Sequence, residues 1–159
     1  MDEVDAKMVA DMNKSFSRGF PPLITFLKGA VTHIERASNT VTLTFQTSEA
    51  ESGGFSVQGG ISAAMCDASC SACILLLTKL EHGMTTYEQK CTYLAPVRIN
   101  ETVTVCARVL KIGKRVAFVE ATLSDAQGIT LVTSSQTCML IPGPRAVAWD
   151  PRRESGASL

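Results

Sequence analysis

The segment from Gln58 to Thr78 constrains the fold of this chain more than any other, because it contains a single charged residue, Asp67. A helix that is apolar nearly all the way round has to be buried. We therefore expect a long core helix from Gly59 to Leu80, wrapped by a strongly twisted sheet. A membrane span is the alternative for about 20 apolar residues. We reject it because an Asp at its centre would cost roughly 3 kcal/mol, and because the segment also contains Ser62, Ser69 and Ser71.

The sequence on either side of this helix has mostly the periodicity of β-strands. Val41, Leu43 and Phe45 alternate with polar residues, which predicts a hairpin over residues 30–47 that turns at Ser38-Asn39. Further strands are predicted over residues 84–94, 102–112, 115–124 and 129–140. A helical spacing of apolar residues predicts an amphipathic helix over about residues 4–16. One helix, two strands, a long helix and four strands indicate an α+β domain with an antiparallel sheet.

The length and charge of the chain narrow its class further. Its 159 residues predict one domain, residues 1–141, and a C-terminal tail, residues 142–159. A composition of 45% hydrophobic and 19% charged residues excludes a disordered chain. The 15 basic and 15 acidic residues cancel, which gives no basis for general attraction to nucleic acid or anionic membranes. The acidic start is unlike a signal peptide, so we expect a cytoplasmic protein whose six cysteines are reduced.

Asp67 is an ionisable residue in the middle of an otherwise apolar helix, so its presence needs a physical reason. A buried carboxylate persists when it is paired, protonated or functional, and its position alone supports a structural hydrogen-bonding role as well as a chemical one. Gln58-Gly59-Gly60 begins the helix, where free N–H groups can hold an oxyanion. Gly59 and Asp67 are separated by ~12 Å along the helix axis, so one carbonyl cannot touch both within a chain. If they cooperate, two helices must pack antiparallel in a symmetric dimer.

Three blocks of sequence resemble a known family in their order and spacing. They are Gln58–Asp67, Tyr93–Val97 and Val109–Phe118. The chain resembles the hotdog-fold thioesterases of the PaaI and 4-hydroxybenzoyl-CoA thioesterase type over about residues 30–141. The resemblance implies an antiparallel sheet wrapped around a long helix, and assembly into homodimers and often homotetramers. It also implies hydrolysis of acyl-CoA thioesters without a metal and without a cofactor other than the CoA of the substrate.

The resemblance carries five catalytic positions onto this chain. Asp67 matches the catalytic acid, which either deprotonates water or attacks the carbonyl. Gly59 matches the backbone donor to the thioester carbonyl, with Gly60 beside it. Thr86 falls where relatives place a Ser or Thr that helps to hold the attacking water. Gln58 stands where many members have His.

The same resemblance implies a CoA channel along residues 93–98 and 111–116. The matching positions are Tyr93, Pro96, Arg98, Lys111, Gly113, Lys114, Arg115 and Val116. The cations among them suit phosphate oxygens, although a solvated hairpin tip is the usual role of such residues. Ser52 departs from the family pattern, since Asn or Gln usually occupies that position and polarises the carbonyl.

The cysteines and histidines are expected to have no chemical role. Cys66, Cys70 and Cys73 share one helix face at i, i+4 and i+7, but a metal site needs a fourth ligand, so packing as small hydrophobes is expected. Packing is also expected of Cys91, Cys106 and Cys138. We expect His33 and His82 on the surface, with no metal site in the chain.

Three functions compete at this point. An acyl-CoA thioesterase acting on a small or medium acyl group, aromatic groups included, accounts for Asp67 and the Gly-Gly helix start together. A hotdog hydratase or dehydratase would need a His–acid pair, and no His accompanies Asp67 or Gln58. A non-catalytic acyl-CoA-binding module would not need a carboxylate in an apolar helix. The sequence therefore favours the thioesterase, with acyl-CoA and a second copy of the chain as its partners.

Overall fold

A computed structural model describes residues 1–19 and 21–142 of the chain. Its helices are α1 (Glu3–Ser17), α2 (Pro22–Phe26) and α3 (Gly59–Leu77). Its strands are β1 (Ala30–Glu35), β2 (Thr40–Gln46), β3 (His82–Tyr93), β4 (Thr102–Ile112), β5 (Val116–Ser124) and β6 (Thr130–Pro142). Except for the backbone of Pro142, which ends β6, the predicted tail lies outside the described residues.

The strands form one antiparallel sheet in the order β1-β2-β4-β5-β6-β3. The alternating residues Val41, Leu43 and Phe45 of β2 are fully buried against α3, because successive side chains of a strand point to opposite faces. From the helix, Met65, Cys70 and Ile74 enter the same core. The predicted α+β architecture, a long helix wrapped by an antiparallel sheet, is confirmed.

The core helix stops three residues earlier than predicted. Lys79 and Leu80 have φ angles of 52° and 63°, a left-handed conformation that cannot continue a helix. The Leu80 N–H donates to the Leu75 carbonyl at 2.8 Å and caps the C-terminal end of α3. An 18-residue window of α3 has a mean hydropathy of 1.7 and is 56% buried within the fold. Length and composition would allow this helix to cross a membrane, but a helix buried in the core of a domain has the same length and composition.

The short helix α2 was not predicted. Pro21 and Pro22 indicate the end of α1, but Pro22 also begins α2 as its first residue, a position where the missing N–H costs nothing. The Thr25 hydroxyl donates to the Phe16 carbonyl at 2.8 Å and joins the two helices.

The predicted N-terminal helix is present and is anchored to the rest of the domain. Arg36, just after β1, donates to both carboxylate oxygens of Asp5 from Nε at 3.0 Å. The same guanidinium donates to the carbonyls of Leu77 and Leu76 at 3.2 and 3.3 Å, at the end of α3. Asn13 exchanges two hydrogen bonds of 2.8 Å with the backbone of Val31 in β1. Helix α1 is therefore fixed to both the sheet and the core helix.

Candidate active site

Asp67 lies in the middle of α3 and is half-buried. The Thr86 hydroxyl of β3 donates to its Oδ1 at 2.6 Å, a length typical of a hydrogen bond to a charged carboxylate. The register of β3 shifts between Thr86 and Glu88, and bulges of this kind re-aim side chains next to active sites. No cation in the described chain forms an ion pair with Asp67. The carboxylate therefore keeps lone pairs that can accept a proton or attack a carbonyl.

The start of α3 presents backbone donors. Gln58 caps the helix, and its Oε1 accepts the Ile61 N–H at 3.2 Å. A Cβ at Gly60 would lie 2.7 Å from that oxygen, so a glycine leaves room for the cap. The N–H groups of Gly59 and Gly60 belong to the first turn, where helix geometry offers no carbonyl partner. They are free to bind an oxyanion.

Tyr93 holds this helix start in place. Its hydroxyl donates to the Gly59 carbonyl at 3.0 Å, and a Cβ at Gly59 would lie 3.4 Å from its ring. Partial burial raises the pKa of the Tyr93 phenol above its ordinary value. The sequence placed Tyr93 among the CoA-channel residues by resemblance, and its contact with Gly59 was not predicted.

A groove of about 370 Å³ opens beside the helix start. Tyr93, Pro96 and Gly59 line it together with Val57 and Ser62. Arg98 follows this segment, is exposed, and pairs with Glu101 at 3.6 Å. The predicted residues Tyr93 and Pro96 are thus brought to the start of α3.

The predicted residues 111–116 lie at the other end of the sheet. Thr86 pairs with Cys138, Cys138 with Ala117, and Ala117 with Ile112, so the β4–β5 hairpin is level with Thr86. Tyr93 is seven positions further along β3, or about 23 Å. The Gly113 N–H donates to the Val116 carbonyl at 2.8 Å and closes the turn. Its cations, Lys111, Lys114 and Arg115, are exposed and make no ion pair with any described residue.

One chain therefore divides the candidate residues between two places. Asp67, Thr86 and the basic hairpin lie toward one end of the sheet, while Gln58, Gly59, Tyr93 and Pro96 lie at the start of α3. The ~12 Å of helix between Gly59 and Asp67 is more than one thioester carbonyl can bridge.

Ser52 belongs to the loop before α3 rather than to the helix start. It forms an isolated antiparallel bridge with Val57, and its hydroxyl accepts the Gly54 N–H at 2.9 Å. Gln89, which the sequence did not single out, donates from Nε2 to the Ala63 carbonyl at 2.9 Å and fixes β3 to α3. The bulge after Thr86 shifts the alternation of β3, so the inward position of Gln89 could not be read from period two.

The cysteines are poor candidates for a nucleophile. All six are free thiols, and burial raises the pKa of Cys66 and Cys73 to about 12 and that of Cys138 to about 11. The prediction that Cys106 packs is wrong, because its side chain is exposed on the outer face of β4. His33 is exposed as predicted, whereas His82 is half-buried and its Nδ1 has no hydrogen-bond partner among the described residues.

The sequence and fold are similar to those of known proteins. Residues 56–132 match the model of the thioesterase superfamily (4HBT). The PaaI protein from the phenylacetic acid degradation operon of Escherichia coli is 15% identical, with a TM-score of 0.73 over 87% of this chain and 95% of PaaI. Zebrafish thioesterase superfamily member 2 is 20% identical, with a TM-score of 0.72 over 82% and 96%.

A third solved structure carries a ligand. The smu.793 protein of Streptococcus mutans, bound to acetyl-CoA, is 14% identical with a TM-score of 0.64 over 71% of this chain and 88% of that one. No curated protein sequence matches this chain. At these identities the structural likeness concerns the fold alone, which is the hotdog fold.

Proposed function

We propose that this chain, whose residues 56–132 match the thioesterase superfamily model, is a thioester hydrolase that hydrolyses acyl-CoA at a site shared between two protomers. The Asp67–Thr86 pair carries this proposal. A half-buried carboxylate held by one hydroxyl at 2.6 Å, with no cation among the described residues to neutralise it, is suited to accept a proton or to attack a carbonyl. A module that only binds acyl-CoA has no need of such a group.

The reaction needs an oxyanion site and a base or nucleophile. The Gly59 and Gly60 N–H groups donate hydrogen bonds to the negative charge that develops on the thioester oxygen, and such preorganised donors contribute several kcal/mol. Asp67 either takes a proton from the attacking water or adds to the carbonyl itself to form an anhydride that water then opens. In both routes the C–S bond breaks, the CoA thiolate takes a proton, and the acid is released.

A symmetric dimer would bring these groups together. Strand β3 lies at the edge of the sheet, so one row of its backbone groups has no partner strand within the described chain. On α3, an adjacent stripe formed by Gly60, Ala64, Asp67 and Ser71 is only partly covered. Two copies paired antiparallel along this face would place Gly59 of one copy beside Asp67 of the other. A further pairing into tetramers is what the family leads us to expect.

We assign the recognition of CoA to residues 93–98 and 111–116, the two segments predicted from the sequence. Tyr93 and Pro96 line the groove at the helix start, and the exposed cations Lys111, Lys114 and Arg115 suit phosphate oxygens. The acetyl-CoA complex of the smu.793 protein, which shares the fold, supports an acyl-CoA ligand. No cofactor other than this CoA enters the proposal.

Release of free CoA thiol, measured over a panel of acyl-CoAs, tests the activity. Binding of acyl-CoA with no thiol release would instead assign a non-catalytic acyl-CoA-binding module.

Complementation tests the shared site. Asp67→Asn and Gly59→Val chains, each inactive alone, are mixed and allowed to exchange subunits. Half of the dimers then contain one chain of each variant. Each of these heterodimers has one intact site out of two, so about a quarter of the parental activity should return. Asp67→Asn mixed with itself is the control. An active monomer in light scattering, or no recovery on mixing, would contradict the shared site.

A further inference from the structure

A second cavity lies between the N-terminal helices and α3. Its volume is about 280 Å³, close to the lower end of the ~300–1,000 Å³ range of small-molecule pockets. The walls are mostly apolar side chains, among them Met12, Phe16, Ile24, Ala68, Ala72 and Leu75. Asp11 lies at its outer side, where its carboxylate is 63% exposed and pairs with Lys7. The interior therefore suits a hydrocarbon group better than a charged one.

The cavity is a fixed part of the domain, because its outer wall is held at several points. The ion pair of Arg36 with Asp5 ties α1 to the end of α3, and Asn13 ties it to β1. The bond from Thr25 to the Phe16 carbonyl sets α2 against α1. A wall anchored on both the sheet and the core helix can hold a constant shape for a ligand.

The position of the cavity relates it to the candidate active site. Its lining on α3 begins at Ala68, the residue after Asp67, and includes Ser71, one turn further on the partly covered stripe. From Ala68 to Leu75 the lining follows two turns of α3, or about 10 Å. A lining of this length accommodates an extended chain of several carbons.

We infer that this cavity receives the acyl group of the substrate and that its occupant is a medium-length unbranched aliphatic chain. The inference rests on the proposed function, since it assumes that the thioester carbonyl reacts beside Asp67. The chain then runs along Ser71 and under α1, and Met12, half-buried in the cavity wall, limits its length.

The test varies the acyl chain and residue Met12 together. Each buried methylene should raise kcat/KM by roughly fourfold until the cavity is full. Met12→Trp, which narrows the cavity, should lower kcat/KM for decanoyl-CoA at least tenfold and leave acetyl-CoA within about twofold. Met12→Ala, which enlarges it, should move the preferred length upward by two or more carbons. Ala10→Trp adds the same ring to the exposed face of α1 and should change neither profile.

Binding of substrate analogues that cannot be hydrolysed tests the acyl pocket independently of the hydrolytic activity. Ethyl-CoA and decyl-CoA thioethers cannot be hydrolysed, and calorimetry should show that decyl-CoA binds more tightly and loses this advantage in Met12→Trp. That result without turnover by the parent would keep the pocket and overturn hydrolysis. Turnover with a length profile unchanged in both Met12 variants would overturn the pocket alone. A preference for phenylacetyl-CoA over octanoyl-CoA would overturn the aliphatic assignment. If Met12→Trp fails to fold, Met12→Ala at this half-buried position decides.

Discussion

Asp5 and Asp67 are two carboxylates set into the apolar body of the same domain, and they differ in what surrounds them. Asp5 is 3% exposed and is held by three hydrogen bonds from Arg36. Asp67 is half-buried, and its partner is one hydroxyl, that of Thr86. The guanidinium neutralises the first charge, whereas the second has no cation among the described residues.

The difference separates a structural acid from a chemical one. A buried carboxylate that accepts a fork of guanidinium donors has its charge and most of its lone pairs engaged, and its removal or isolation mainly affects folding. A carboxylate held by one hydroxyl is oriented but not neutralised. Variants at the two sites should therefore affect different measurements.

The largest effect is expected at Asp67. Asp67→Asn keeps the shape and a hydrogen-bond acceptor for Thr86 but cannot take a proton or attack, so kcat should fall at least ~100-fold. Asp67→Ala should behave in the same way. The midpoint of thermal unfolding should change little, because no ion pair is broken. Turnover close to that of the parent in Asp67→Asn would show that this acid is structural like Asp5.

Arg36→Met should produce the opposite pattern. It leaves the buried Asp5 carboxylate without its partner, and we expect the free energy of unfolding to fall by about 2 kcal/mol, less than for a fully buried pair because Arg36 is 32% exposed. Urea denaturation measures this loss. The kcat of the folded variant for acetyl-CoA should stay within about twofold. A stability equal to that of the parent would show that the Asp5–Arg36 pair does not anchor α1.

A smaller effect is expected from the hydroxyl that orients Asp67. Thr86→Val keeps the branched shape but removes the donor, so kcat should fall about tenfold, the equivalent of roughly 1.4 kcal/mol. Thr86→Ser should restore most of it. Thr85→Val, on the exposed neighbouring position of β3, is the matched control. Equal activities of Thr85→Val and Thr86→Val would remove Thr86 from the site.

The sequence predicted the six strands and the two longer helices, α1 and α3, because their residue patterns are local; the five-residue helix α2 is too short to show such a pattern. Asp67 is the only charged residue between Gln58 and Thr78, and period-two alternation in β2 places Val41, Leu43 and Phe45 on one face. The same alternation in β4 buries Val103, Val105 and Ala107 and therefore places Cys106 on the outer face, so the exposure of Cys106 could be read from the sequence.

The contacts that distinguish the two carboxylates were harder to predict. Asp5 and Arg36 are 31 residues apart in the chain, and nothing in either local pattern indicates that they meet. The Thr86–Asp67 bond joins β3 to α3 beside a register shift, which interrupts the alternation on which strand predictions depend. The spacing of Gly59 and Asp67 was readable, since helix geometry alone fixes it.

The smallest expected effect extends the comparison from acids to cations. Arg108 pairs with Glu120, with 2.9 Å between Nε and Oε1, whereas Lys114 and Arg115 are exposed and have no acidic partner within the described residues. If the unpaired cations contact CoA phosphates, each should contribute only about 1 kcal/mol, and added salt should weaken the contact. Lys114→Ala combined with Arg115→Ala should therefore raise KM for acyl-CoA several-fold. The kcat should hardly change, because the contact is the same in the ground and transition states.

A short thioester without the nucleotide should show no difference, and neither should Arg108→Ala with acyl-CoA. A KM and salt dependence equal to those of the parent would leave the basic hairpin as a solvated turn, and CoA recognition would then fall to the groove beside Tyr93.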